Sequence, residues 1–438
     1  MKVAVIGAGW AGMAAAVRAA ELGHAVTVFE AARTLGGRAR GVPLTLPDGR
    51  EVMADNGQHI LIGAYAECLR LMRLVGVDTD AALLRQPLAM RYPDGTGLAL
   101  PDWPAPWDAA AGIVAARGWS ARDKWTLLRA AHGWQRSGFA CDAHVSVATL
   151  CAGLPPRLRN EFIEPLCVSA LNTPMAEASA QVFLRVLHDG LFSQRGGSNF
   201  LLPRVNLSAL WPDAAARWLH ARGAQVHTGQ RIDALGWHAP HWQVNGAPFD
   251  RVLLATSAPH AVQIGVQSAL HAPADLAAPL HAWCHRAAAL RHQPITTVYA
   301  QASPAPRTDG RPLLPAPMLA LRPQADAPAQ FVFDRDAITQ PDTPTRLLAF
   351  VVSVSTGTRE ALEAAITAQA QRQLGLAVTP LATITEKRAT FACTPALQRP
   401  AQAIAPGLLA CGDYTEGPYP ATLEGAVQSG LQAASALR

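Results

Sequence analysis

The chain has 438 residues, half of them hydrophobic and 16% charged, with a formal net charge of +5. That length exceeds one simple core and suits two interleaved domains, and the apolar share leaves room for a large interior or an apolar ligand tunnel. The basic residues are arginines except for Lys2, Lys124 and Lys387, and no basic run carries interleaved aromatics, so nucleic acid is not expected as a partner.

A weak attraction to anionic membrane surfaces stays open at this charge. No stretch of about 18 apolar residues free of charges occurs, so no bilayer-spanning helix is expected. The seven cysteines are scattered without a Cys-x-x-Cys pair. That spacing argues against a disulfide scaffold and against a zinc site, so no metal is expected, and it suits a reducing cytoplasm.

In chain order, Lys2–Ile6 reads as a buried strand that runs into Gly7-Ala8-Gly9-Trp10-Ala11-Gly12. An Ala-rich helix follows to about Gly23, and a second strand, Ala25–Phe29, ends on Glu30 and Ala31. This is the order of a dinucleotide-binding unit. Gly7 allows the tight turn, Gly9 lets a pyrophosphate approach the backbone, and Gly12 lets helix and strand pack closely. The helix N-terminus offers free N–H groups to phosphate, and Glu30 can accept bonds from ribose hydroxyls. Lys2 ahead of an apolar run loosely imitates a secretory leader, but the glycines interrupt it and Arg18 and Glu21 fall inside it.

Two more glycines and an arginine, Gly36, Gly37 and Arg38, come where a nicotinamide dehydrogenase would continue into a helix. They permit close backbone approach and forked neutralisation of phosphate. The combination resembles the FAD-binding start of the amine oxidase and phytoene desaturase superfamily. The resemblance implies FAD rather than NAD, held by a Rossmann-like α/β domain with a parallel sheet, beside a discontinuous α+β substrate domain. It further implies that Gly57, Gln58 and His59, within Val52–Tyr65, lie by the flavin ring. Taken alone, His59 reads as a hydrogen-bonded core histidine; the resemblance sets the flavin-side reading beside it.

A helix is expected from Ala66 to Val75, then helices over Asp108–Arg117 and Ala121–Gly138. Trp103, Trp107, Trp119, Trp125 and Trp134 cluster there among arginines and Lys124. Two readings stand side by side: an amphipathic surface dipping into a membrane interface, or ordinary core and lid tryptophans. The stretch Arg159–Ser198 is mostly apolar at helical spacing, with Glu164, Asn172 and His188 as polar exceptions whose default role is structural hydrogen bonding. A helix from Ser208 to Arg222, a strand at Ala224–His227 and a strand at Asp250–Thr256, closed by Pro259, complete the nucleotide unit. The superfamily resemblance puts the backbone of Ile232 at the adenine edge. Residues 266–385 are rich in Pro and Ala, with strands expected at Thr296–Ala300, Gln330–Phe333 and Arg346–Val354 and a helix near Arg359–Leu374.

The chain closes on a strand, an acid, a Gly/Pro turn and a helix, Gly407–Gly430. Gly412 and Asp413 would reach the pyrophosphate and ribityl region, and the N–H groups near Thr422 and Leu423 would face the flavin pyrimidine, where negative charge develops on reduction. The expected division is 1–90, 200–265 and 386–438 for the FAD domain, with 91–199 and 266–385 for the substrate domain.

Thr422 stands where amine oxidases place an aromatic residue, and Tyr414–Ala421 lacks a flavin-linking Cys, which demotes amine oxidation and suits non-covalent FAD. The stretches Asp55–Tyr65, Glu164–Pro174 and Gly412–Ala426 resemble the hydroxysqualene dehydroxylases, the squalene-associated FAD-dependent desaturases of bacterial squalene and hopanoid synthesis. Ala148-Thr149-Leu150 departs from that pattern, where a Trp-Leu-like pair is expected. The resemblance implies loss of an allylic hydroxyl as water and hydride delivery from reduced flavin, FAD cycling through FADH2. His59 is the first candidate for the acid or hydroxyl-orienting group and Glu164 the second, with Asn172 and Tyr419 against the substrate. It implies a long apolar isoprenoid substrate, upstream squalene-synthase-like enzymes, an unidentified reductase, and a cytoplasmic protein, peripheral at the inner face of the membrane if the tryptophans touch lipid. A carotenoid-type desaturase is the runner-up, and an amine oxidase or a flavoprotein that only presents isoprenoids to a partner stand behind it.

Overall fold

The computed structural model describes residues 1–303 and 312–437, so residues 304–311 of the expected substrate domain lie outside the described residues. A six-stranded sheet runs in the order Gln225–His227, Ala25–Phe29, Lys2–Ile6, Arg251–Leu254, Leu408–Ala410, Ala403–Ala405. All neighbours are parallel except the last, antiparallel pair. Lys2–Ile6 has a parallel neighbour on each side, and Val3, Ala4 and Val5 are fully buried. A strand covered on both faces reads as a continuous apolar run, which is why its pattern does not alternate.

The helix Trp10–Glu21 lies against this sheet and against the closing helix Leu423–Ser435. Alanines on the first helix and Gly430 on the second make the approach possible. A Cβ on Gly430 would come within 2.2 Å of Ala11 O. The fit sets the first turns of one helix against the middle of another that is about four hundred residues away in sequence.

The second sheet is antiparallel, in the order Met318–Ala320, Phe331–Asp334, Leu347–Ser353, His292–Ala302, Val378–Phe391. One face packs Tyr299, Phe331, Phe333 and Val351 against the helical region that contains Ile113, Trp119, Leu127, Phe162 and Phe183. The other face is covered by Leu362, Ile366 and Ala370 of the helix Arg359–Leu374.

Several local expectations change. Pro259 does not close a segment; it sits in the first turn of the helix Ala258–Ala269, where its missing N–H costs nothing. The helix expected from Ser208 to Arg222 is two pieces, Leu207–Leu210 and Pro212–His220, because Pro212 cannot continue the first and starts the second. The helix Ala274–Ala288 packs Leu276, Leu280 and Trp283 on the parallel sheet, although the division at 265 assigns it to the other half. The division at 385 falls inside the strand Val378–Phe391. No helix among the described residues is long and apolar enough to cross a membrane.

Candidate active site

The glycines of the first loop meet three different constraints. Gly7 has φ +106°, and a Cβ there would lie 2.7 Å from Ala255 O. Gly12 is tighter still, with a Cβ only 1.9 Å from Gly7 O. Gly9 is the opposite case, since nothing lies within 4 Å of a Cβ built on it. Gly9 is also the N-cap of Trp10–Glu21 and offers no side-chain cap. The helix therefore opens onto free space with its first N–H groups unclaimed by the helix itself, a cradle for an anion.

The second glycine pair completes the wall. Gly36 N–H donates to Ala8 O at 2.9 Å, and a Cβ on Gly37 would meet Gly9 Cα at 3.5 Å. Arg38 follows directly. Its guanidinium pairs with Asp413 and donates to Ala389 O at 2.7 Å, so it ties the first loop to the closing loop and to the antiparallel sheet. Glu30 accepts from the N–H of Ala8 at 2.7 Å and of Ala32 at 2.8 Å, which fixes the carboxylate at the strand end while leaving lone pairs for a hydroxyl. Ala31 beside it is exposed. The return segment wraps the same corner: Glu30 N–H donates to His227 O and Gln230 N–H to Glu30 O, both at 2.8 Å. Ile232, two residues on, is buried in one cluster with Phe29.

At the far end, Gly412 N–H donates to Ser429 Oγ at 2.8 Å, and Asp413 is buried beside Arg38. Thr422 caps the closing helix by accepting from Gly425 N–H at 2.9 Å, ahead of the half-buried Leu423. A Cβ on Gly425 would lie 1.8 Å from Tyr419 O, so this turn also depends on a missing side chain. Glu424 is spoken for: buried, it accepts from Glu67 N–H and Cys68 N–H at 3.0 Å each and so caps the helix Ala66–Leu74.

Between the two ends, Asp55–His59 follows the strand Glu51–Asp55 and is bonded to the antiparallel sheet. Asp55 takes Leu207 N–H at 2.7 Å, and its carbonyl takes the Tyr299 hydroxyl at 2.8 Å. Burial raises its carboxyl to about 6, against the opposing pull of the Leu207 N–H and of Arg335. Gln58 N–H reaches Thr297 Oγ1 at 3.3 Å, and Gln58 Oε1 accepts from the buried Arg335 at 3.0 Å. The His59 ring lies over Gly57, its Nε2 3.5 Å from where a Cβ would stand, and it bonds the Arg38 backbone. Desolvation lowers His59 to about 4, with the Arg38 charge pushing the same way. The imidazole is therefore neutral near pH 7 and acts as a hydrogen-bonding group rather than a store of charge.

The remaining candidates are placed elsewhere. Glu164 begins the helix Glu164–Leu171, directly after a π-helical turn at Arg159–Ile163, and its Oε2 accepts from Met175 N–H at 2.9 Å. Burial raises its carboxyl. It shares none of these partners with His59. Asn172, at φ 43°, uses both ends of its amide: Nδ2 donates to Thr390 Oγ1 at 2.9 Å and Oδ1 accepts from Val354 N–H at 3.1 Å. Those bonds fasten the helix end to the antiparallel sheet, the structural role that polar exceptions take by default.

Tyr419 comes together with residues whose grouping the sequence did not indicate. Burial, then the adjacent Asp189 carboxylate, pushes its hydroxyl up to about 12. Asp189 Oδ1 lies 2.6 Å from His188 Nδ1, and the carboxylate also faces the Tyr419 hydroxyl. Neither Asp189 nor Arg335 carries a local sequence signal. Each acquires its setting only when distant segments meet. Among the described residues, no group of three or more His, Cys, Asp or Glu is placed to hold a metal ion.

Comparison with known proteins agrees with this geometry. The chain is 28% identical over 464 residues to a hydroxysqualene dehydroxylase of Rhodopseudomonas palustris, covering 99% of this chain and 97% of that one. A second hydroxysqualene dehydroxylase, of Zymomonas mobilis, is 27% identical across 58% of this chain and 61% of its own. A zeta-carotene desaturase of Zea mays is 36% identical, over 18% of this chain and 13% of its own. An oxidoreductase structure from Methanosarcina mazei superposes with a TM-score of 0.72 at 17% identity, covering 99% of this chain and 100% of that one. Cyclohexylamine oxidase of Brevibacterium oxydans gives 0.68 at 15%, covering 99% and 98%. These two share the fold. The family model for flavin-containing amine oxidoreductases matches residues 10–438, so the chain belongs to that family.

Proposed function

We propose that the protein binds FAD without a covalent link and reductively removes the allylic hydroxyl of hydroxysqualene to give squalene. The observation that carries this reading is the likeness to a hydroxysqualene dehydroxylase along 99% of the chain. The desaturase likeness covers 18% and ranks second.

Reduced FAD supplies the hydride. The chain's residues do the rest. The open space at Gly9, the N-terminus of Trp10–Glu21 and Arg38 receive the two phosphates, and Glu30 the ribose. The N-terminus of Leu423–Ser435 supplies partial positive charge at the pyrimidine end. Breaking the C–O bond leaves a resonance-stabilised allylic carbon and requires one proton so that oxygen departs as water. In this reading His59, beside Gly57, is the first candidate to orient or protonate the hydroxyl, and Glu164, whose carboxyl burial raises, is the second. Tyr419, held against Asp189, borders the substrate. Burial of some thirty carbons at ~0.8 kcal/mol per CH₂ supplies affinity in excess, so orientation and the acid limit the rate.

The test is an anaerobic incubation of holoenzyme, chemically reduced, with hydroxysqualene, read by mass spectrometry. Squalene formed only with the reductant is the expected result. New conjugated double bonds made by oxidised enzyme from a carotene precursor would establish the desaturase instead, and no product in either direction would leave a presenting scaffold.

A further inference from the structure

The tryptophan-rich stretch separates into an inner and an outer set. Trp119 is buried against Phe162 in the core of the substrate half, with Ile113 and Leu127, and Trp134 is half-buried at its margin. Trp103, Trp107 and Trp125 are 54%, 68% and 68% exposed, and Val114 is 61% exposed. Trp107 and Val114 stand two turns apart on the helix Trp107–Ala115, hence on one face. Gly112, on the inner face, lets that helix press onto the strand region beneath, since a Cβ there would meet Leu100 at 2.3 Å. Lys124 Nζ donates to Val114 O at 2.7 Å and so fastens the next helix, Ala121–Arg136, to the end of the first, with Trp125 alongside.

The charges of this stretch are sorted by sign. Its two carboxylates face inward: Asp108 is 3% exposed and accepts from Ala109 N–H, and Asp123 is 8% exposed inside the capping box with Ser120. Arg117, Arg122, Arg129 and Arg136 are exposed, and Arg122, Trp125, Arg129 and Arg136 recur at helical spacing along the outer side of the second helix. Asp102, just before the stretch, is paired with Arg195.

We infer that the outer face of these two helices docks on an anionic lipid bilayer, the tryptophans entering at headgroup depth and the arginines and Lys124 matching the lipid charge. A protein partner would be expected to meet a mixture of both signs, whereas this face offers cations around exposed indoles and no free carboxylate. The face lies on the back of the helices whose inner sides build the substrate half, so docking brings that half to the phase where an apolar substrate resides. The inference goes beyond the proposed reaction and stands for any apolar substrate.

The test uses flavin-loaded full-length protein in flotation with vesicles of phosphatidylglycerol and phosphatidylcholine in equal parts. Flotation at low salt is expected, with loss at high salt and with little binding to phosphatidylcholine alone. The double substitution Trp107→Ser and Trp125→Ser is expected to weaken vesicle binding about ten-fold or more while the flavin spectrum and melting temperature stay unchanged. The pair Arg122→Glu and Arg129→Glu serves as a second variant that leaves the indoles in place, with the same loss expected. No flotation of the parent protein, equal flotation on neutral vesicles, or undiminished binding by both variants would each overturn the inference, as would concentration-dependent self-association through these tryptophans without lipid binding.

Discussion

In the parallel sheet, the strand Lys2–Ile6 ends at glycines where an added Cβ would stand 2.7 Å and 1.9 Å from backbone oxygens, so single residue types are forced by local geometry. The antiparallel sheet holds together differently. Its buried residues, Phe331, Phe333 and Val351 among them, face helices drawn from 107–191, and any of these three could be a different hydrophobe of similar volume. The parallel-sheet half is therefore specified by exclusion at a few positions and the antiparallel-sheet half by burial summed over many. The expected consequences of substitution differ in kind as well as size.

The largest effect is expected at Gly12. Gly12→Val places atoms inside the contact with Gly7 O and is expected to cost at least ~4 kcal/mol, with loss of folded, flavin-bound protein. Gly9→Ala is the matched control. Its Cβ enters open space, so the melting temperature of flavin-free protein should hold while flavin affinity falls about ten-fold or more. Equal destabilisation by both substitutions, measured by urea melts and flavin titration, would erase the distinction between the packing glycine and the cradle glycine.

Next comes Arg335, a buried cation facing Asp55 and bonded to Gln58. Arg335→Met strips both of their partner and is expected to cost ~3 kcal/mol. Its effect on flavin retention tells whether the antiparallel sheet positions the Asp55–His59 segment.

His59 probes the same segment through pH. Its folded value of about 4 lies below the ordinary 6.5, so between those values the unfolded chain binds a proton that the folded chain does not. Stability therefore falls as pH drops from 6.5 towards 4. His59→Gln removes that loss, and the variant should gain ~2 kcal/mol on the parent at pH 4 relative to pH 7, after allowing for a ring that is partly exposed. Asp55 runs the other way. Its folded value of about 6 exceeds 3.8, so its contribution grows as pH falls through that interval and partly offsets His59 in the parent. Denaturation midpoints at several pH values separate the two.

What could be read in advance follows the same line. Gly7, Gly12, Gly36 and Gly37 were legible because φ or clearance restricts them within a few residues, and Gly9 because a cradle needs the space a side chain would fill. The helix Ala274–Ala288 was hidden because Pro279 lies inside it, and proline in a window reads as a break. The strand Val378–Phe391 was missed because threonines and Glu386, Lys387 and Arg388 mask its alternation, since much of it is only partly covered. Arg335 and Asp189 could not be found, because a buried charge or a carboxylate facing a distant tyrosine is a property of segments that meet, with no trace in spacing along the chain.

The smallest effect expected is also the one that probes the join between the halves. The Tyr299 hydroxyl, fully buried in the antiparallel sheet, donates to Asp55 O at 2.8 Å, while the segment that follows carries Gly57 and His59. Tyr299→Phe keeps the ring and its packing but leaves a buried carbonyl without that donor, a cost of ~1 kcal/mol. If the cradle glycines and Arg38 alone hold the cofactor, flavin affinity should be nearly unchanged and the loss should appear only in the melt. A fall in affinity of about ten-fold would instead mean that the antiparallel sheet sets the height of the Asp55–His59 backbone under the flavin, because one lost bond would be felt in full at the cofactor. Specification by exclusion would then stop at Arg38, and the flavin end of the site would belong to the half of the molecule that is built by burial.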